Sequence, residues 1–244
     1  MTILHIVFNW VAFFSSIPAV FTDSPPAPSE ITRADSLRLP QRLYADATYL
    51  SQYLFNGARY HVYDRHAKTH QFYLTRDLLT GMLRYGGYDY GPFQMHYDIN
   101  MGVLVIKQPL NGYLVRLDSA KVEHFTLNNS YFEQVFNHPQ LKRGIYQTLY
   151  EGDIKLICRR KKIRLEKYED LKAIPVFIDV SSYFFFTEGG YRQIRHKKDI
   201  YRLFPEHRKE IRSYLRRAPA SFKEDIEQHL LEIAEIINQP GSGI

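Results

Sequence analysis

Hydrophobic and polar positions alternate along the chain between residues 59 and about 165. Val103 and Val105, for example, fall on one side of an extended chain, and Leu104 falls on the other. A period of two is typical of β-strands that bury one face. Turn signals such as Asn111-Gly112 follow one another at intervals too short for crossover helices, so the pattern predicts antiparallel strands linked by hairpins.

The predicted strands form a meander followed by two hairpins. The meander has strands at 88–100, 101–108, 113–117, 122–127 and 131–136. The hairpins join 145–150 to 154–165, and 183–187 to 191–194. The sheet therefore covers about 59–195. It could curl into a half-barrel, since strand tilt and stagger are not encoded in the alternation.

The pattern of apolar positions becomes helical at both ends of this region. An N-terminal helix is predicted at about 41–54, and C-terminal helices within about 198–238, where Ser221 and Glu224 form a capping box. Together the elements predict one α+β domain over 31–244: a curved antiparallel sheet, a meander of hairpins, with an N-terminal helix and C-terminal helices packed on it.

The first 22 residues contain no Lys, Arg, Asp or Glu, and residues 3–21 are almost continuously apolar. A polar, Pro-rich spacer follows at 23–30. This order is typical of a secretory signal peptide that is removed at about residue 22, although a retained anchor of about 20 residues would look similar. We therefore expect export to the periplasm or cell envelope, no transmembrane segment in the mature chain, and no nucleic acid partner.

Positive charge is concentrated in one segment. The chain has a net charge of +6, and residues 151–217 carry 18 basic and 10 acidic side chains. Its densest run starts with Arg159, Arg160, Lys161 and Lys162. We interpret the run as the solvated, edge-protecting part of a hairpin. The alternative is that these four residues bind an anionic component of the envelope.

Aromatic residues are abundant, with 19 Tyr and 16 Phe. Tyr85, Tyr88, Tyr90 and Tyr97 lie around a Gly86-Gly87 turn and are candidate ligand-binding residues, because tyrosine offers both apolar area and a hydroxyl to a sugar or lipid. The competing interpretation is ordinary cross-strand pairing, which aromatic residues favour in sheets.

Local catalytic signatures are absent from the sequence: there is no phosphate-binding loop, no His-Glu-x-x-His pair and no Gly-x-Ser-x-Gly elbow. We therefore expect an exported, non-catalytic envelope protein that binds a partner, lipid or glycan, with no cofactor. The alternative is a secreted hydrolase with a dispersed His/Asp site, for which Asp89 and Asp98 could supply paired carboxylates.

Two further groups of side chains have chemical potential. His61, Asp64, His66 and His70 could share a metal ion, but spacings of five and four residues match no known ligand pattern, so a polar loop is the expected structure. The single cysteine, Cys158, lies in an apolar strand pattern and is predicted to be buried and unpaired.

Several segments resemble a group of uncharacterised exported proteins of Gram-negative bacteria. The resemblance covers most of the mature chain and has no known activity attached, so it implies an envelope setting and transfers no catalytic residue. It is carried by Leu54-Phe55-Asn56-Gly57 with Tyr60, Tyr88 to Asp98, Leu104-Val105, Val122, Phe125-Thr126-Leu127, Leu149 to Leu156, and Lys197 to Arg217.

The signal peptide prediction can be tested directly. N-terminal sequencing of the protein secreted by its own host should give a chain that starts after about residue 22, because an uncharged apolar run before a polar spacer is the processing signature. An intact Met1 in a membrane fraction would show that the segment is an anchor.

Overall fold

The structure is a computed structural model that describes residues 53–169 and 172–238. The predicted signal peptide, the spacer at 23–30 and the predicted helix up to residue 52 lie outside the described residues. Residues 53–55 are helical. No helix in the described part of the chain is both long and apolar enough to span a bilayer.

The chain is built mainly of strands, with helices near its C-terminal end. The strands are β1 (Ala58–Arg59), β2 (Leu79–Tyr85), β3 (Tyr88–Asp98), β4 (Val103–Lys107), β5 (Leu114–Arg116), β6 (Val122–Leu127), β7 (Ser130–Val135), β8 (Gly144–Glu151), β9 (Lys155–Arg159), β10 (Lys162–Glu169), β11 (Lys172–Asp179), β12 (Ser182–Thr187) and β13 (Gly190–Ile194). The helices are α1 (Lys197–Leu203), α2 (Arg208–Arg217) and α3 (Ile226–Asn238).

Eleven strands form one sheet in the order β1-β5-β4-β3-β2-β6-β7-β8-β9-β12-β13, which is not closed. The strands β10 and β11 form a separate two-stranded sheet. Every pair of neighbouring strands is antiparallel. The predicted antiparallel sheet with C-terminal helices is therefore confirmed.

The large sheet is strongly curled around one core. In the strand order Tyr97 on β3 and Phe132 on β7 are three positions apart, which would place their backbones about 14 Å apart in a flat sheet. Their ring centroids are nevertheless only 5.5 Å apart. The sheet therefore bends so that the residues on its concave face, including Leu104 and Phe125, meet in a shared core.

The helices cover a second part of the same face. Leu230 and Ile233 of α3 form a buried cluster with Cys158 of β9 and Phe185 of β12. Cys158 is fully buried and unpaired, as predicted. Its burial raises the pKa of the thiol to about 12. The β8–β12 half of the sheet is thus held against the helices by an apolar interface.

The sequence pattern does not predict strands β2 and β11, and each contains a residue that is unusual in strands. β2 contains Gly81. A Cβ atom at this position would clash with the carbonyl oxygen of Thr126 on β6, so the strand needs glycine here, although glycine weakens the strand pattern in the sequence. β11 contains Pro175, which is normally excluded from strands except at edges.

The predicted strand 154–165 and the predicted helix starts also need correction. The strand breaks after Arg159, and its second half belongs to the small sheet, because alternation does not reveal a change of partner. The sequence pattern also predicts a helix that starts at Pro205, whereas the second helix begins at Arg208. The backbone N–H of Ser221 does donate to Glu224, but this bond closes a turn that precedes α3.

Candidate functional site

The turn between β3 and β4 is fixed by the buried carboxylate of Asp98. Its Oδ1 accepts hydrogen bonds from the backbone N–H groups of Asn100 and Met101, at 3.0 and 2.9 Å. Its Oδ2 accepts from the hydroxyls of Tyr60 and Tyr63, at 2.7 and 2.9 Å. Because the carboxylate is fully bonded, it is a structural group that holds the 99–102 turn in place.

The passage from β9 to β10 is held by a buried ion pair. The guanidinium of Arg160 donates two hydrogen bonds to the carboxylate of Glu227 on α3, at 2.5 and 2.7 Å, and one to Oε1 of Gln147 at 2.6 Å. The Tyr183 hydroxyl also donates to Glu227. Burial alone would lower the pKa of Arg160, but the hydrogen bonds to Glu227 raise it overall, so the guanidinium stays charged.

Lys162, two residues after Arg160, also finds its hydrogen-bond partners within the protein. Its Nζ donates to the backbone carbonyls of His70 and Phe72, both at 2.8 Å. The interpretation of the basic run as a solvated hairpin edge is therefore wrong for Arg160, which is 12% exposed, and for the half-buried Lys162. Glu227 and two carbonyls, all distant in sequence, compensate the two charges.

Between this passage and the 99–102 turn lies a cleft of ≈ 300 Å³ that has basic and no acidic side chains in its lining. We call it the basic cleft. Its volume is at the small end of the range typical of ligand sites. It is lined by Tyr97, Ile99, Asn100, Met101, Gly102, Ser119, Gln134, Arg143, Gly144, Ile145, Arg159, Arg160 and Lys161.

Three of the cations in the basic cleft lack an acidic partner. Within residues 53–169 and 172–238, no carboxylate lies within 4.0 Å of the charged groups of Arg143, Arg159 or Lys161. Arg159 donates through Nη2 to the carbonyl of Arg143 at 3.1 Å. Its guanidinium lies against β8, where a Cβ on Gly144 would come within 3.1 Å of Nε and Nη2.

A second cavity, of ≈ 440 Å³, adjoins the basic cleft at the end of β7. We call it the aromatic groove. Its floor is formed by the buried Leu141, Tyr146 and Ile157, and Tyr191 packs against them. The two cavities share Gln134, and the guanidinium of Arg143 in the cleft lies 5.6 Å from the ring centroid of Phe136 in the groove. Ile145 in the cleft and Tyr146 in the groove are successive residues of β8, so these parts of the two cavities lie on opposite faces of the sheet.

The candidate tyrosines do not form one surface. Tyr85 and Tyr88 are cross-strand partners at the β2–β3 turn. Tyr85 and Tyr97 belong to the buried core, Tyr90 packs against it, and only Tyr88, at 53%, is well exposed. Of the four, only Tyr97 lines the basic cleft. The pairing that aromatic residues favour in sheets accounts for the turn.

The candidate carboxylates of the hydrolase interpretation are far apart. Asp89 and Asp98 lie nine residues apart on β3, which corresponds to about 30 Å of strand. Two glycosidase carboxyl groups need to lie within about 10 Å of each other. Asp89 and Asp98 therefore cannot act together on one bond. Asp89 instead forms an exposed ion pair with Arg84.

The histidine-rich segment does not assemble into a metal site. Among the described residues no three His, Cys, Asp or Glu side chains come together in a way that could hold a metal ion. Asp64 instead pairs with Arg164. His70 and His96 flank the ring of Phe72, and His96 stacks on it with centroids 4.0 Å apart.

Sequence reasoning identifies only part of the basic cleft. Arg159, Arg160 and Lys161 stand out by charge density, whereas Lys162 belongs to the same run but does not line the cleft. Arg143 and Gln134 are not candidates from the sequence, because each is an isolated polar residue near a strand end. The pairing of the neighbouring strands β7, β8 and β9 brings them close to Arg159.

The buried ion pair gives a stability prediction. Replacement of Arg160 by Met should lower the free energy of unfolding by about 2–3 kcal/mol, because the partly buried Glu227 would be left without its partner. A double variant, Arg160→Met with Glu227→Leu, should recover part of this loss. The control is Arg164→Met, which removes an exposed ion pair and should cost much less. Denaturant unfolding measures all three. Equal losses in the two single variants would contradict the role of Arg160.

The stacked histidine gives a pH prediction. Burial lowers the pKa of His96 to about 4, against about 6.5 in an unfolded chain. Between pH 6.5 and 4 the unfolded chain thus binds a proton that the folded chain does not. The free energy of unfolding should fall with falling pH in this window, by up to about 1.4 kcal/mol per unit.

The variant His96→Gln should remove this part of the pH dependence. The exposed His66→Gln is the control and should leave the pH profile of wild type unchanged. Denaturant unfolding at pH 7, 6, 5 and 4 compares the slopes. An unchanged slope in His96→Gln would show that His96 is protonated in the folded protein.

Comparisons with known proteins find no relative of this chain. No family model matches it, and neither a curated protein nor a solved structure does. The chemistry of the basic cleft is therefore the basis for a proposed function.

Proposed function

We propose that this protein is a non-catalytic binding protein that holds an anionic ligand in the basic cleft. The observation that carries the proposal is the lining itself: Arg143, Arg159 and Lys161 meet there without an acidic side chain among the lining residues. Cations without an acidic partner attract a bound anion. Charged hydrogen bonds to an anion are also stronger than neutral ones.

The surroundings of the cations support binding more than catalysis. Arg160 and the 99–102 turn are held by Glu227 and Asp98, so the cleft is preorganised. Preorganisation lowers the entropic cost of binding. No Asp, Glu, His or Cys lines the cleft; besides its cations the one titratable group in the lining is the buried Tyr97, whose pKa is raised by burial. These features favour recognition over general acid–base chemistry.

The predicted signal peptide supports a location outside the cytoplasm for this function. The proposed ligand is accordingly an anionic lipid, glycan or protein group of the bacterial envelope. The predicted signal peptide and the resemblance to exported proteins of Gram-negative bacteria support this location.

The proposal is tested by removing charge from the cleft. Isothermal titration with pyrophosphate at low salt should show binding that weakens as salt is added. The double variant Arg159→Gln/Lys161→Gln should bind roughly tenfold less tightly or worse, since a hydrogen bond to a charged group contributes about 1.5–3 kcal/mol.

A second double variant, Lys209→Gln/Arg212→Gln, is the matched control. Both residues are exposed on α2, outside the cleft lining, and the change in net charge is the same. This variant should bind pyrophosphate as wild type does. Equal weakening in the two variants would mean that the anion responds to net charge and not to the cleft.

A further inference from the structure

The small sheet of β10 and β11 has one covered edge. On β11, the backbone of Phe177 exchanges two hydrogen bonds with Oγ1 of Thr69, which precedes β2. The carbonyl of Pro175 accepts from the backbone N–H of Lys68. Proline is tolerated at this position because its missing N–H would point away from β10 and costs no bond of the hairpin. The segment around Thr69 therefore occupies the outer edge of β11.

The other edge of this sheet, along β10, is open. At its base Lys162 bonds outward to the 99–102 turn through its backbone N–H and carbonyl. Because backbone groups point to alternate sides along a strand, those of Arg164, Glu166 and Tyr168 point outward as well. In the part of the chain that the structure describes, nothing bonds to these outward groups, and all three residues are exposed. An open strand edge is a template for pairing with another chain.

The side chains of β10 are complementary to those of a second, antiparallel copy of β10. With Leu165 on a two-fold axis, Arg164 faces the partner's Glu166, and Glu166 faces the partner's Arg164. Each of these facing pairs can exchange two backbone hydrogen bonds through its outward groups, as in any antiparallel ladder. Within one chain Arg164 already bonds to Asp64 and Glu166, yet both Arg164 and Glu166 remain exposed, so their charges are accessible to a second copy.

Neighbouring registers put like charges opposite one another. If the axis moves by one residue, either Arg164 or Glu166 lies opposite its own copy, and an axis at Lys167 does the same for a lysine. Like charges directly opposite each other destabilise a pair of strands. The axis at Leu165 avoids these pairs. It also brings together two leucine side chains that are each 43% exposed in the single chain.

We propose that this protein forms a two-fold symmetric dimer through the open edge of β10. The two hairpins join into one antiparallel sheet in the order β11-β10-β10-β11, with Leu165 on the axis. The partner is a second copy of the chain because a two-fold interface has to be self-complementary, and the Arg164–Glu166 pattern meets this condition. A two-stranded sheet also gains stability from further strands. The dimer is independent of the anion binding proposed for the basic cleft.

Sedimentation velocity of the chain purified from its own host measures the dimer. Because the new ladder is short, association should be weak and reversible, with the dimer fraction rising between about 1 and 500 µM. The variant Glu166→Pro removes an outward N–H and a charge but no bond to β11, and it should weaken dimerisation about tenfold or more. A wild-type chain that stays monomeric throughout this range, or a Glu166→Pro chain that dimerises like wild type, would overturn the proposal.

The variant Ala173→Pro is the matched control for the backbone change. Ala173 lies opposite Tyr168 on β11, so its N–H also points out of the hairpin, but at the edge on the far side from β10. This variant should dimerise as wild type does. Equal weakening in the two proline variants would mean that dimerisation responds to damage of the hairpin and not to the edge of β10, and the proposal would be wrong.

The variant Leu165→Cys tests the register and leaves the backbone unchanged. Facing residues of a non-hydrogen-bonded pair have Cα atoms about 4.5 Å apart, which is within the range of a disulfide. Diamide, which is reduced as the two thiols are oxidised, should therefore join two Leu165→Cys chains. The native Cys158 is buried and should not react.

The variant Lys167→Cys is the control for the cross-link. Lys167 is exposed on the same face of β10, but its two copies would lie about 13 Å apart along the strands, on opposite sides of the axis. It should cross-link at least about tenfold more slowly than Leu165→Cys, because a disulfide cannot span this distance. Equal rates in the two variants would show that β10 does not pair with itself about Leu165.

Discussion

The ion pair between Arg160 and Glu227 joins the passage between the two sheets to the last helix. Arg160 lies where the chain leaves the large sheet for the small one, and Glu227 lies in the first turn of α3. Two buried charges of this kind contribute little net stability, but loss of either one is costly. The pair therefore constrains geometry: it fixes the path of the chain at 159–162.

This fixed path has a consequence for the neighbouring charges. In an extended chain alternate side chains point to opposite sides, so anchoring Arg160 and Lys162 in the protein leaves Arg159 and Lys161 free to face the cleft. Arg160 and Lys162 are therefore structural charges, whereas Arg159 and Lys161 are available to bind a ligand. Charge density alone does not distinguish these roles, since each depends on a partner far away in sequence.

The basic cleft itself depends on the curl of the sheet. Tyr97 and Arg159 stand on β3 and β9, which are five positions apart in the strand order, yet both line the cleft. The curl is stabilised by aromatic packing such as the edge-to-face contact of Tyr97 with Phe132, whose centroids are 5.5 Å apart. A flatter sheet would have the same strands and the same hairpins but no cleft, because its two walls would not meet.

Local pattern alone predicts most strands from β3 to β9 and both strands of the β12–β13 hairpin, because half-buried strands alternate and tight turns carry Gly, Asn and Asp. It also identifies the burial of Cys158 and the density of positive charge at Arg159. The tertiary structure decides the rest. It assigns β9 and β10 to different sheets, pairs Arg160 with Glu227, and brings Tyr97 to the same cleft as Arg159. The physical reason is that alternation and turns act between near neighbours, whereas these contacts join elements far apart in sequence and form only when the sheet curls and the helices pack on it.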